Sequence, residues 1–448
     1  MKLIAPLFVS LCFLAGAATL ERNVKAGNDS IDQPTMDWLL STYKQLHAAP
    51  ELSHHEEKTA DFFATELRKL GYTVTDHIGK YERPEWTGYG VVGILKNGTG
   101  PTVLIRTELD ALPVDEKTNL PYASKVKTKN DAGTEVSVMH ACGHDIHMTS
   151  MLGTARILAQ RKSEWHGTLM ILGQPAEETI DGARAVLRGG LYEKFPKPDY
   201  AIALHDHAEL EAGKVGYVPG YAMASSTAVD IKIRGLGGHG SKPEATKDPV
   251  VVASQVVMAL QTIVSRENSP FDPAVVTVGS IHGGTRYNII PDEVNLQLTV
   301  RTYKEEVRKR VLASIERITR GIAAAAGIPE DRAPIVKVSE TEVTAATYNE
   351  PQLMERLAGA FKKALGPENV VRASPMMASE DFGYLSLDQK IPSAIFWVGA
   401  VDPIRVKESQ ERGTPLPSLH SAIFAPIPEP TLRTGVKAMT AAVLELMK

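Results

Sequence analysis

Residues 139–147, "MHACGHDIH", gather His140, Cys142, His144, Asp145 and His147 in a chain that holds only thirteen histidines and two cysteines. Thiolate and imidazole are ligands for zinc and other borderline divalent cations. Cys142 and His144 stand two positions apart, so an extended or irregular backbone can aim both to one side, whereas a helix would splay them. The pair alone is equally compatible with a buried thiol beside a hydrogen-bonded imidazole. A metal site therefore needs further donors. Glu177 and Glu178 in "GQPAEET" directly follow an apolar run. On a helix surface adjacent carboxylates are usually just solvated. At the end of a buried strand they can face different ways, so that one binds an ion and its neighbour takes a proton from water. His205 in "IALHDH" has a similar strand-end setting, and His420 in "PLPSLHSAIF" follows two prolines that stiffen its loop.

The start of the chain bears on that thiol. Lys2 precedes "LIAPLFVSLCFLAGAA", which closes on Ala15 and Ala17. A weakly basic start, a short apolar middle and a small-residue exit form the pattern of a cleaved secretory leader, expected here over 1–18. The competing reading is a membrane anchor, for which the run is shorter than the roughly 20 residues that span a bilayer. Removal of the leader takes Cys12 with it, and Cys142 becomes the sole thiol in an oxidising, secreted or periplasmic setting. Such a thiol needs either burial or a bound metal.

Elements must position these groups. "TMDWLLSTYKQLHAAPEL", "HHEEKTADFFATELRKLGY" and, from Met148, "MTSMLGTARILAQRK" carry the apolar spacing of helices. "YGVVGILKN", "PTVLIRTELD", "GTLMILGQ" and "DYAIALHDH" read as strands bounded by Gly, Pro and Asn. Their alternation predicts an α/β fold with a mixed, largely parallel sheet covered by helices, and function at the strand ends. The chain exceeds one ordinary core, so a second domain is expected. From Ser225 a strand, a helix, two strands and a second helix ended by Gly327 form a small α+β unit. "IPSAIFWVGA" and the C-terminal helix then return to the first domain. The expected division is 35–222 and 336–448 for the catalytic domain, with 225–335 inserted.

Forty-nine basic and fifty-three acidic side chains give a net charge of −4 without long runs of either sign, which points away from nucleic acid and from stable membrane association after leader removal.

"MHACGHDIH", "GQPAEE", "ALHDH", "GGHGSKPEATKDPV", "IHGGTRYNIIPDEV", "SEDFGYL" and the late "LH" stand in the order found in the M20-type metallopeptidases. From Asp37 to its end the chain resembles their amidohydrolase branch, which includes hippurate hydrolase, N-acyl-amino-acid aminoacylases and auxin-conjugate hydrolases. The resemblance implies two divalent metal ions (Zn, Mn, Co or Ni) per subunit, held by Cys142, His144, Glu178, His205 and His420 with Cys142 bridging. It implies Glu177 as general base, His239 reaching from a partner subunit to polarise the scissile carbonyl, and Asn288 lining the substrate site. It also implies a ferredoxin-like inserted domain that acts as lid and dimer contact in a homodimer. The reaction expected is hydrolysis of N-acyl amino acids, with a dipeptidase or carboxypeptidase as the alternative. A thiol hydrolase with Cys142 as nucleophile and a non-catalytic binding protein are the rival classes. Glu108, Ile146 and Glu244 depart from the usual Asp, Gly and His of the branch, which bears on the geometry of one metal and on the pocket.

Overall fold

The computed structural model describes residues 31–448. The leader expected at 1–18 lies outside them.

The larger sheet has eight strands. In spatial order they are Thr73–Lys80, Thr87–Asn97, Gly167–Gln174, Thr102–Glu108, Tyr200–Glu211, Ser393–Val401, Val215–Tyr217 and Val370–Arg372. The four in the middle, from Gly167–Gln174 to Ser393–Val401, run parallel. The antiparallel pairings lie to either side. Strands buried on both faces read as continuous apolar runs, and "TVLIRTE" is a case: Val103 and Ile105 join the core beneath the helices His144–Gln160, Pro351–Leu365 and Pro428–Met447, while Leu104 packs on the opposite face with Ala183 and Val186. The C-terminal segment thus does return, as a central strand and a covering helix.

The helix expected from Met148 begins four residues earlier, at His144. Gly143, at φ 75°, turns the chain into it, a left-handed conformation that glycine adopts without a Cβ clash. Cys142 therefore sits in the turn before the helix, and His144 is its first residue.

The second sheet is antiparallel, in the order Ala274–Gly283, Glu293–Thr302, Ser225–Arg234, Ile335–Thr344. Helices Pro249–Thr262 and Glu305–Ala325 cover one face through Val252, Val256, Leu260, Val307, Val311 and Ile315. Ile335–Thr344 is a fourth strand that completes the β-α-β-β-α-β order of a ferredoxin-like unit, so the chain stays in this sheet beyond the return expected at 336. The sequence understated this strand because it is a half-exposed edge strand, "IVKVSETEVT", with charged residues in place of a continuous apolar run. The stretch Pro249–Glu267 is long and apolar enough to cross a membrane by length and composition; its Val252, Ala253, Val256 and Leu260 pack on this sheet.

Candidate metal centre

The chemistry-bearing side chains meet at the carboxyl ends of the parallel strands. Glu177 and Glu178 follow Gly167–Gln174, Asp110 follows Thr102–Glu108, and His205 lies on Tyr200–Glu211, two residues past the Arg106–Ala203 pairing. His420 comes from the loop before the last helix; its backbone N–H donates to the carbonyl of Ala141 (2.8 Å), which ties that loop to the Cys142 turn.

Cys142 Sγ lies 3.6 Å from His205 Nε2 and 3.3 Å from His420 Nε2. His144 Nε2 is 3.8 Å from Glu178 Oε1 and 3.9 Å from Glu177 Oε2, and Glu178 Oε2 is 3.5 Å from His420 Nε2. Two ligand sets, Cys142/His144/His205 and Cys142/Glu178/His420, share the thiol, with the donor atoms of each within 4.8 Å of one another. The fit to metal is visible in the unpaired donors: buried His144 Nε2 and Glu178 Oε1 have no hydrogen-bond partner among the described residues. Unpaired buried polar atoms are costly, and a cation placed among them relieves that cost. His144 Nδ1 meets the carbonyl of Asp110 (2.8 Å) and His205 Nδ1 that of Asp206 (2.7 Å). With Nδ1–H donating to carbonyls, both rings turn Nε2 into the cluster, the arrangement that fixes tautomer and orientation in metal-binding histidines.

Beneath this layer lies a network that the sequence reading did not assign. His147 spans Glu108 (Nδ1 to Oε2, 2.9 Å) and Asp206 (Nε2 to Oδ1, 3.3 Å). Arg106, fully buried, pairs with Glu108, with Glu380 (2.8 Å) and with Asp381 (3.0 Å). The network's members lie in segments already singled out, His147 in "MHACGHDIH", Asp206 in "ALHDH" and Glu380 and Asp381 in "SEDFGYL", and Arg106 is the charged residue inside the apolar run "VLIRTE" that joins them. Asp110 accepts from Ser53 Oγ (2.7 Å) and from the backbone N–H of Glu178 (2.9 Å).

The charges explain the titration. Burial, then Glu380 and Glu178, push the Glu177 carboxyl well above its usual range, and burial, opposed by His144, brings Glu178 up to about 7. Burial, then Glu178 and Glu177, likewise raise the Cys142 thiol. Burial alone would lower His144, but its hydrogen bond to Asp110 and the charge of Glu108 outweigh it and lift the ring to about 10. Carboxylates outnumber cations here, so the cluster draws protons; the same deficit is what divalent ions would fill. In the metal-free cluster burial first, and then the neighbouring carboxylates, disfavour the thiolate, the reverse of the setting that activates a nucleophilic cysteine, which speaks against the thiol-hydrolase alternative. His140 stays outside the ligand sets. Its ring is buried, both nitrogens unpaired among the described residues, and burial lowers it to about 4.

The departures fall into place differently. Glu108 is buried between Arg106 and His147. Ile146 packs away from the metal side with Met36, Leu39, Leu432 and Val436. Glu244 is exposed in the short turn Pro243–Ala245.

His239 and Asn288 are not brought to the cluster by hydrogen bonds or ion pairs among the described residues. His239 lies on the ribbon Gly238–His239, paired with Ile289–Ile290 on the second unit. It is exposed, and its Nδ1 meets Ser241 Oγ (2.8 Å). Asn288 is beside it, its carbonyl accepting from the N–H of Gly240 (2.9 Å).

Candidate metal donors at the ends of the parallel strands, a thiol shared by two donor sets and a ferredoxin-like second unit are the parts that a two-metal hydrolase requires. Comparison with known proteins agrees. Residues 104–420 match the model of peptidase family M20/M25/M40, and the chain belongs to that family. It is 39% identical over 342 residues (76% of this chain, 82% of the relative) to hippurate hydrolase of Campylobacter jejuni. It is 32% identical over 405 residues (90% and 93%) to thermostable carboxypeptidase 1 of Saccharolobus solfataricus. Among solved structures it superposes on the Bacillus subtilis YXEP protein, described as a dinuclear metal-binding M20 peptidase, with a TM-score of 0.72 at 28% identity over 93% of this chain and 99% of that one. The chain is thus a hydrolase of amide bonds, and its clustered side chains are of the types that hold metal ions.

Proposed function

We propose that this protein cleaves the amide bond of N-acyl amino acids, with Glu177 as general base and Cys142, His144, Glu178, His205 and His420 as metal ligands. One observation carries the division of labour between the two glutamates: Glu178 lies between His144 and His420, at 3.8 and 3.5 Å, while Glu177 meets the cluster only at the His144 edge, at 3.9 Å. Divalent ions held by the five ligands supply Lewis acidity toward water and the amide carbonyl. Glu177 takes the proton of the attacking water and then delivers it to the departing amine. His239 donates to the carbonyl oxygen as negative charge grows there, and Asn288, its neighbour on the ribbon, orients the substrate.

In this reading His239 serves the partner's site in a homodimer. What supports it is the exposure of its ribbon and of apolar side chains on the same unit, Met258 at 72% and Val251 at 52%. Export is part of the proposal, from the leader-like sequence over 1–18; N-terminal sequencing of the protein recovered from its native compartment checks it. The substrate reading follows the hippurate hydrolase relative, while the likeness to a carboxypeptidase keeps peptide substrates as the second reading. A panel of N-acyl amino acids and dipeptides, assayed with zinc, manganese, cobalt or nickel added back to stripped protein, decides. Higher kcat/KM on dipeptides than on every acyl amino acid would reverse the order.

A further inference from the structure

Adjacent residues of an extended strand point to opposite faces, yet Glu177 Oε2 and Glu178 Oε1 lie within 3.9 and 3.8 Å of the same His144 Nε2. The turn "PAEETIDG" makes this possible. Ala176 has φ 49° and Ile180 φ 61°, left-handed conformations that residues with a Cβ rarely adopt. Gly182 closes the turn by donating to the carbonyl of Ala176 (3.0 Å), where a Cβ would meet the oxygen of Pro175 at 1.7 Å. A backbone held away from its preferred region persists only where its surroundings over-determine it.

The restraint comes from a segment far away in sequence, "ELSHHEE". Glu56 is fully buried, and its Oε1 accepts from the N–H of Ala176 (2.7 Å) and from that of His54 (2.9 Å). It is also the N-cap residue of helix Glu57–Lys69 and makes no side-chain capping bond there. Ser, Thr, Asp or Asn would serve that position better. The side chain is turned from its own helix toward the turn that carries the two glutamates. Glu178 has an anchor of its own, its N–H on Asp110 Oδ2 (2.9 Å), which Ser53 of the same segment also holds (2.7 Å). The two carboxylates therefore have separate supports.

We propose that Glu56 is a positioning residue for Glu177: by holding the N–H of Ala176 it locks the left-handed turn that aims Glu177 at the reacting water, while Asp110 independently secures Glu178. The assignment rests on Glu177 being the base.

Glu56→Asp is the decisive variant. Aspartate is one methylene short of Ala176 but is a preferred cap for its own helix, so the start of that helix stays satisfied. The holoprotein should keep its Tm, its metal content and its KM while kcat falls by roughly a hundredfold, the scale expected for a misplacement of about 1 Å. Glu56→Gln retains an oxygen for both N–H groups and should restore most of kcat. Adding Ala176→Gly to Glu56→Asp should also recover part of it, since glycine enters the left-handed region without strain; a merely architectural role for Glu56 gives no reason for that recovery. Wild-type kcat in Glu56→Asp, or loss of metal in step with activity, overturns the proposal. Glu177→Gln separates the two layers. If that variant keeps turnover, the base assignment falls and this inference with it; if it is inactive while Glu56→Asp turns over normally, only the role of Glu56 falls.

Discussion

Two histidines, each preceded by glycine, end in opposite circumstances. His144 follows Gly143 and is buried, its Nδ1 fixed on Asp110 and its Nε2 facing Cys142, Glu177 and Glu178. His239 follows Gly238 and is exposed, its ring held among the described residues by Ser241 alone, on a ribbon where Ile289 is 48% exposed and the nearby Tyr287 98%. The first is pre-organised by a network that runs from Arg106 through Glu108 and His147 to Asp206. The second has a local conformation but no surroundings. A catalytic group needs a fixed position relative to the reacting atoms, so if His239 acts as proposed, a second surface would have to supply what its ribbon lacks. That contrast is the physical basis for reading the metal half of the site as the work of one chain and the carbonyl-polarising half as the work of two.

The sharpest test lies within the buried half. Glu177→Gln should keep two metal ions and lose turnover by about 10²–10⁴-fold, the range of general-base contributions, whereas Glu178→Ala should lose metal as well. Metal analysis of both proteins decides, and equal metal loss would erase the distinction between base and ligand. The exposed half comes next. His239→Ala should lower kcat by roughly 10²–10³-fold, as for removal of one oxyanion donor, with metal unaffected. Mixing it with Glu177→Gln under subunit exchange should return about a quarter of wild-type activity, because half of randomly paired dimers are mixed and each of those holds one intact site. An inactive mixture with verified exchange would return His239 to its own chain or to no role.

A smaller effect is chemical. With cobalt added back to stripped protein, the wild type should show a thiolate-to-metal charge-transfer absorbance that Cys142→Ser lacks, since a coordinated thiolate donates to the ion; identical spectra in the two proteins place the metal elsewhere. The smallest concerns stability. His47, buried against Asp145 (2.7 Å) and Glu116 (3.1 Å), is pulled down by burial yet raised overall by these two hydrogen bonds, from 6.5 to about 10. A folded-state value above the unfolded one favours folding fully below pH 6.5, and that contribution is lost as pH rises through about 10. The stability gap between wild type and His47→Gln in denaturant melts should therefore be widest near pH 6 and close toward pH 10. A gap that widens with pH would show that the imidazole is neutral in the fold.

The five proposed ligands and Glu177 were named from the ordered motifs, and the structure brings them to one cluster; His420, a lone loop histidine, carried no local signal of its own. The start of helix His144–Gln160 was missed by four residues because His144, Asp145 and His147 are polar by type, and only their burial in the network makes them core. Ile146 looked like a disturbance of the metal motif, and the helix turns it into the opposite cluster with Leu39 and Val436. The edge strand Ile335–Thr344 was overlooked for want of an apolar stripe.

By itself, then, the sequence determined the donor chemistry, the strand ends that would carry it and the two-unit plan, because residue type and hydrophobic period are local properties. Only the tertiary structure decided which polar groups support which. Glu56 reaches Ala176 across 120 residues and Arg106 reaches Glu380 across 274. Partnerships of that kind depend on strand order and on buried atoms finding partners at hydrogen-bond distance, and no spacing along the chain encodes them.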